Sequence, residues 1–239
     1  MRILPLLALL VACADPSKDK TAAVVHDAPP PAPPAAAPAP SVPGARVPLT
    51  GEISFVGAKV TNSHPGKFAG WTGSAELDGP NLKGVEIEVD VASLATDAPK
   101  LDEHLRSPDF FDVGAWPKAS FRSTSIVAGA PPENKLEGAT HTVSGDLTLR
   151  DVTKAISVPA IVTAGPNGLS ARTEFFINRK DFGIVYPGKP DDLIKDEVAI
   201  ALSFTAGAAP VGAPPPAGPP AADAAPAGGV PAPSHSAGH

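Results

Sequence analysis

The side chains of this sequence best able to do chemistry are its histidines, its one cysteine and an adjacent acid pair, and their spacing decides what each can do. His64, His104 and His141 are ligand types that transition metals favour, but they are far apart, with no i, i+4 pairing on one element. A metal centre would depend wholly on the fold bringing them together, and none is expected. Asp102 and Glu103 fall on a short helical stretch where neighbouring positions face different directions, so they read as a solvated face and not as an acid–base couple. There is no Gly-x-Ser-x-Gly elbow, no His-Glu-x-x-His and no glycine-rich phosphate loop. No catalytic residue, metal or cofactor is assigned, and enzymatic activity is not expected.

Cys13 carries a different chemistry. Met1-Arg2 is a minimal basic start, Ile3 to Val11 an apolar stretch far too short to span a bilayer, and Leu10-Val11-Ala12-Cys13 matches the bacterial lipobox. The expectation is a signal peptide over 1–12 that is removed, with Cys13 acylated. One acyl chain holds a protein to a membrane only marginally, whereas two or three hold it firmly. The chain is accordingly expected in the bacterial cell envelope, facing the periplasm or the exterior, with the membrane as a partner through Cys13. Ala14 in place of an aspartate after the cysteine permits the outer membrane under the best-known sorting rule.

Composition divides the rest. Of 31 prolines, 10 precede Val47 and 9 follow Ala206, so proline, which breaks helices and strands alike, is concentrated in two arms around one domain. The expected organisation is a Pro/Ala-rich linker over 13–46, a folded domain over 47–206 and a Pro/Ala/Gly-rich tail over 207–239. The run from Pro29 to Pro40 suits polyproline II, and a linker of that kind would hold the domain tens of Å from the lipid surface. His235 and His239 in the tail read as a solvated end. A net charge of −6 without a basic run argues against nucleic acid as a partner.

Within the domain the period is two. Val85-Glu86-Ile87-Glu88-Val89-Asp90-Val91 places every acid opposite every branched apolar residue, and the pattern recurs at Ile53/Phe55, Leu147/Leu149, Ile156 to Val162, Leu169 to Ile177 and Val198 to Phe204. With Phe68 to Leu77 and Ala119 to Val127 this makes about eight strands, and one short helix is expected over Pro99 to Arg106. Alternation alone allows a sandwich or a barrel, and size favours the barrel. Between helix and strand, His104 to Thr124 sets Phe110, Phe111, Trp116 and Phe121 among charges and two prolines. It is too polar for a strand throughout and too aromatic for a plain loop, so it reads as a lid over something apolar.

That stretch, Gly145-Asp146-Leu147-Thr148 followed by Val152-Thr153-Lys154, the corner Asn178-Arg179-x-Asp181-Phe182-Gly183 and the closing Asp196-Glu197-Val198 together resemble the YceI-like family of bacterial polyisoprenoid-binding, lipocalin-like barrels. The resemblance covers Pro48 to Ala206 and implies an all-β, antiparallel eight-stranded barrel holding a long-chain isoprenoid, an isoprenoid quinone or another lipid. It departs at Asp151, where the family has glycine, at Ala155, where it has proline, and in the loop Tyr186 to Asp192, which is expected to border the barrel mouth. The rings Phe55, Phe68, Trp71, Phe110, Phe111, Phe121, Phe175, Phe182 and Phe204, with Ile87, Val89, Leu147, Leu149 and Ile177, are the candidate cavity lining. The same rings would also suffice to pack a solid core, in which case the domain would be an envelope scaffold or stress-related interaction module. A metal- or redox-associated partner built on the histidines is a third, weaker alternative. Arg106, Asp109, Arg179 and Asp181 read as ion pairs pinning lid and corner, and a second copy of the chain is carried as a candidate partner.

Overall fold

In a computed structural model of the chain, residues 15–27, 45–165 and 168–207 are described. The signal segment, Cys13, the polyproline run and the tail from 208 on lie outside them. Two short strands, β1 (Thr21–Ala22) and β2 (Val24–Asp27), precede β3 (Ala45–Ala58), β4 (Ser63–Phe68), β5 (Trp71–Asp78), β6 (Asn81–Asp90) and β7 (Leu94–Thr96). The one α-helix among the described residues, α1 (Pro99–Arg106), comes next, with Pro99 at its first turn, where the missing N–H costs nothing. Then follow β8 (Lys118–Ala128), β9 (His141–Leu149), β10 (Val152–Gly165), β11 (Gly168–Asn178), the hairpin of β12 (Gly188–Lys189) and β13 (Asp192–Leu193), and β14 (Glu197–Gly207).

Eight of these strands close into an antiparallel ring in the order β3, β5, β6, β8, β9, β10, β11, β14 and back to β3. Closure rests on β14, which pairs along β11 on one side and along Leu49–Val56 of β3 on the other. The expected alternation holds: Ile87 and Val89 are buried while Glu88 between them is exposed. Pairing places the turn between β3 and β4, the turn between β9 and β10, α1 and the corner after β11 at one end of the ring, called here the lid end. The turns after β5 and β10 lie at the other.

The stretch Phe68–Leu77, expected as one strand, is instead the last residue of β4 and most of β5, parted at Ala69-Gly70. The cause lies in β3, which serves two neighbours: Ala45–Pro48 pairs with β5, and Ile53–Ala58 pairs with β4. The switch falls at Gly51, where φ is +146° and a Cβ would sit 1.9 Å from the Ser203 carbonyl oxygen, so only glycine fits this corner.

The expectation of an unstructured linker over 13–46 fails for residues 15–27. β10 and β11 pair only from Ile161 opposite Arg172 to the Gly165–Gly168 turn, and beyond that they part. Residues 21–27 fill the gap, with β1 parallel to β11 and β2 antiparallel to β10. The reason is a short period-two pattern: Thr21 and Ala23 are buried and Val25 half-buried, while Ala22, Val24 and His26 are exposed. The strap is fastened at Lys20–Glu174 (2.6 Å), Lys154–Asp27 (2.5 Å) and Lys195–Asp15 (2.6 Å), and the Lys135 N–H donates to the Thr21 hydroxyl (2.8 Å).

These links make strap attachment acid-sensitive. Hydrogen bonding to Lys195 holds the Asp15 carboxyl down at about 2, and Lys154 and Lys20 likewise lower Asp27 and Glu174. Carboxyls depressed in the folded state add stability at pH above their ordinary values and lose it as pH falls through the folded ones. Protection of the Thr21–Asp27 amides against hydrogen exchange, taken relative to the intrinsic rate at each pH, is therefore expected to hold down to about pH 4 and to fall between about pH 4 and 2, ahead of global unfolding. Removing residues 15–27 is expected to cost on the order of 2 kcal/mol and to lower the melting temperature by about 4–8 °C, read by calorimetry.

Candidate functional site: an apolar cavity under an aromatic lid

The dry faces of the eight strands do not meet. They enclose a cavity of about 210 Å³ that runs from Leu82, Val162 and Phe204 to Phe55, Phe111 and Ile184 at the lid end. Of the expected lining residues, Phe55, Phe68, Ile87, Val89, Phe111, Phe121, Leu147, Leu149, Phe175, Ile177 and Phe204 border it. Those not singled out in advance, such as Ile156, Val158, Ile200 and Leu202, follow from the same period-two signal carried around the ring. The few polar side chains in the lining are engaged elsewhere. The Ser54 and Thr173 hydroxyls donate to the Ala201 and Pro159 carbonyls (3.3 and 2.6 Å), Arg172 pairs with Glu174, and Ser120 is exposed.

Three expected lining rings lie elsewhere. Trp71 is half-buried and packs against the side of Phe204 (centroids 5.1 Å apart), one ring removed from the cavity. Phe182 is wholly buried in the corner, below the turn closed by Gly183. Phe110 is buried in a second aromatic group with His104 (4.9 Å) and Tyr186 (5.4 Å), and His104 and Tyr186 meet edge to face (4.9 Å). The adjacent pair therefore divides its work, because successive side chains in the turn after α1 point to different sides. Phe111 meets Phe68 edge to face (6.3 Å), and Phe68 packs on Phe55 (5.3 Å), forming an aromatic row at the cavity's lid end. Phe110 latches the lid to the loop at Tyr186. Sequence reasoning placed that loop at the mouth without assigning Tyr186, the only tyrosine in the chain, a role.

Polar contacts hold the lid in place. Asp102, expected on a solvated face, accepts from the Thr96 N–H (2.7 Å) and hydroxyl (2.6 Å), and Arg106 donates to the carbonyls of Ala92 (2.9 Å) and Leu94. Arg106 thus binds backbone, not a carboxylate. Asp109 pairs with His104 (3.0 Å). At the corner, Arg179 is 4% exposed, lies against the cavity's end and donates to the carbonyls of Ile184 (2.6 Å) and Lys195 (3.1 Å). Its charge partner is Asp196 (3.1 Å), whereas Asp181, the expected one, is exposed. Burial lowers the guanidinium's pKa and Asp196 opposes the shift. With bonds to Lys195, Ile184, Ile194 and Asp196, this buried charge serves as a structural pin.

The histidines do not converge. His64 pairs with Asp97 (2.8 Å), His104 with Asp109, and His141 with the Thr140 hydroxyl (2.8 Å). Among the described residues no group of three or more His, Cys, Asp or Glu could hold a metal ion. Gly145 explains one landmark of the sequence. It faces a bulge in β8, and a Cβ there would lie 2.4 Å from the Arg122 carbonyl oxygen and 2.6 Å from the Phe121 ring. The missing side chain is the seat of that ring.

A closed eight-stranded antiparallel barrel with an apolar hollow and one short helix is the lipocalin-like class of fold. Within that class the chain belongs to the YceI-like domain family, which matches residues 48–206. It is 33% identical over 155 residues to a UPF0312 protein of Pseudomonas syringae pv. syringae, covering 58% of this chain and 74% of that one. A UPF0312 protein of Photorhabdus laumondii is 32% identical over 121 residues, covering 48% and 59%. Among solved structures, Burkholderia cenocepacia BcnA is similar with a TM-score of 0.54 at 22% identity, over 64% of this chain and 94% of that one. A polyisoprenoid binding domain from Saccharophagus degradans gives 0.54 at 14% identity, over 69% and 98%. At these identities the likeness is one of fold.

The two lid phenylalanines should separate in stability. Phe110→Ala empties a filled site and is expected to cost about 3–5 kcal/mol, whereas Phe111→Ala enlarges an existing void and should cost roughly half as much, both read from urea unfolding. Gly145→Ala forces Phe121 out of its seat and is expected to cost about 1–3 kcal/mol in the same assay.

Proposed function

We propose that this chain is a non-enzymatic envelope lipoprotein, acylated at Cys13, that carries or sequesters a long apolar lipid of the polyisoprenoid or isoprenoid-quinone class inside its barrel. The observation that carries the reading is the continuous apolar cavity, whose lining polar groups are already engaged or exposed. A dry hollow of this kind rejects water and charged molecules but accepts hydrocarbon. Set beside a cavity of about 150 Å³ that takes up benzene, a hollow of about 210 Å³ has room for on the order of 8 methylene-sized groups, one to two prenyl units, so it would hold the end of a longer chain. Their burial would contribute on the order of 6 kcal/mol gross at about 0.8 kcal/mol each, part of it offset by association entropy. The solved neighbour described as a polyisoprenoid binding domain supports the same ligand class. The filled-barrel interaction module has no comparable support, since the barrel has room left in it.

Leu147 and Ile200 both face the hollow. Leu147→Trp and Ile200→Trp should fill it, weakening binding of a dansylated farnesyl probe at least tenfold while shifting the melting temperature by only a few degrees. Unchanged probe binding, or a loss of stability without any probe binding in the parent, would count against a lipid carrier.

A further inference from the structure

The rim at the lid end carries exposed apolar side chains that the cavity does not use. Val60, Val185 and Leu193 are 60%, 62% and 49% exposed. Backbone contacts gather them. The Val60 N–H donates to the Leu193 carbonyl (3.0 Å), Lys59 bridges to Ile194, and the Ile194 N–H donates to the carbonyl of Pro187 (3.0 Å), two residues past Val185. Trp116, 37% exposed, stands at the same end, on the lid segment. Of the other exposed large apolar residues among those described, Val24 lies on the strap and Val127 near the far end of β8. Of the rim's charges, Lys59 pairs with Asp192 and Lys180 with Asp196, while Lys189, Asp181 and Asp191 are exposed and form no salt bridge among the described residues.

The N-terminus is fastened to this same rim. Asp15 pairs with Lys195 (2.6 Å), whose N–H donates to the Ala58 carbonyl (2.8 Å), beside Lys59 and Val60. Only Ala14 lies between Asp15 and Cys13, a reach of about 7 Å for two residues of extended chain. An acyl chain on Cys13 must enter the bilayer, so the rim is held within that reach of the lipid headgroups.

We propose that the lid-end rim is a membrane-docking surface, on which the barrel stands lid end down with Val60, Val185 and Leu193 set into the bilayer interface. The inference rests on acylation of Cys13 and adds an orientation to it. The anchor alone fixes one point and leaves the barrel free to swivel. The pinned Asp15 shortens the leash, and the three apolar side chains choose the face presented, since burial of apolar surface at the headgroup boundary is favourable. The rim's unpaired charges, Lys189 against Asp181 and Asp191, add up to no net positive charge, so docking does not draw on anionic lipid. In this pose the lid and the aromatic row beneath it face the lipid surface from which an apolar chain would be drawn, and the long-stalk arrangement expected from composition is replaced by close contact.

The test uses the full chain, purified from a bacterial host in its processed form and reconstituted into vesicles of equal parts phosphatidylethanolamine and phosphatidylglycerol. A nitroxide is attached at Val185→Cys, or at Val127→Cys as the far-end control, and its relaxation by oxygen is compared with that by a water-soluble nickel complex. Docking predicts an oxygen-to-nickel ratio several-fold higher at 185 than at 127, with the difference kept in vesicles of phosphatidylethanolamine and phosphatidylcholine. A Val60→Asp/Leu193→Asp variant should lose at least half of that difference while remaining on the vesicles. Intact mass read on the same sample separates the failures. Acylated protein with equal ratios at the two labels overturns the docking alone, and protein without acyl chains overturns both the docking and the anchor.

Discussion

Closure of the ring is the constraint on which the rest of the molecule depends. With β14 paired along both β3 and β11, the eight strands expose no free edge along the seam, and their spacing fixes an interior about wide enough for side chains or for one slender ligand. Which of the two results depends on the sizes of the inward residues. Here they are mostly Val, Ile and Leu, with Ala119, Ala160 and Ala171 among them, and three of the six phenylalanines, Phe55, Phe68 and Phe111, form a row at the lid end. Branched aliphatic side chains reaching in from opposite walls leave a hollow between them. The ends therefore carry the task of keeping water out, and the lid end is the more heavily built: Arg106 and Asp102 tie the helix down, and Arg179 ties the corner.

The strands were readable in the sequence because a half-buried strand writes its geometry as a period of two, and Val85–Val91 does so without interruption. The helix was readable from Pro99 at its start. Harder to read were elements set by partners and not by pattern. β4 carries Pro65 and Gly66, which discourage a strand assignment, and it exists because the lid-end half of β3 offers it a ladder. The strap spans seven residues just ahead of the proline-rich run, too few to stand out, yet the splayed β10 and β11 supply hydrogen bonds on both of its sides.

The site was legible in part for the same reason. Residues on regular strands, such as Ile87, Val89, Leu147 and Phe175, had their side fixed by parity and border the cavity. Phe110, Phe182 and Trp71 sit at turns or a strand's first residue, where parity gives no guidance and local bonding decides the direction. The corner pin shows this as well: Arg179 was singled out correctly, but its carboxylate partner, Asp196, comes from seventeen residues away and not from the neighbouring Asp181.

The described N-terminal segment and the lid converge on one end of the barrel, so the proposed anchor, the rim and the cavity would form a single arrangement. Its central claim is that the hollow holds a lipid. The most direct measurement is native mass spectrometry of the full chain released gently from bacterial membranes. A bound species of fixed mass, released only on unfolding and identified after extraction as a prenyl lipid, is the predicted result. A chain that carries no bound species, together with an experimental structure whose interior is filled solid by its own side chains, would contradict it.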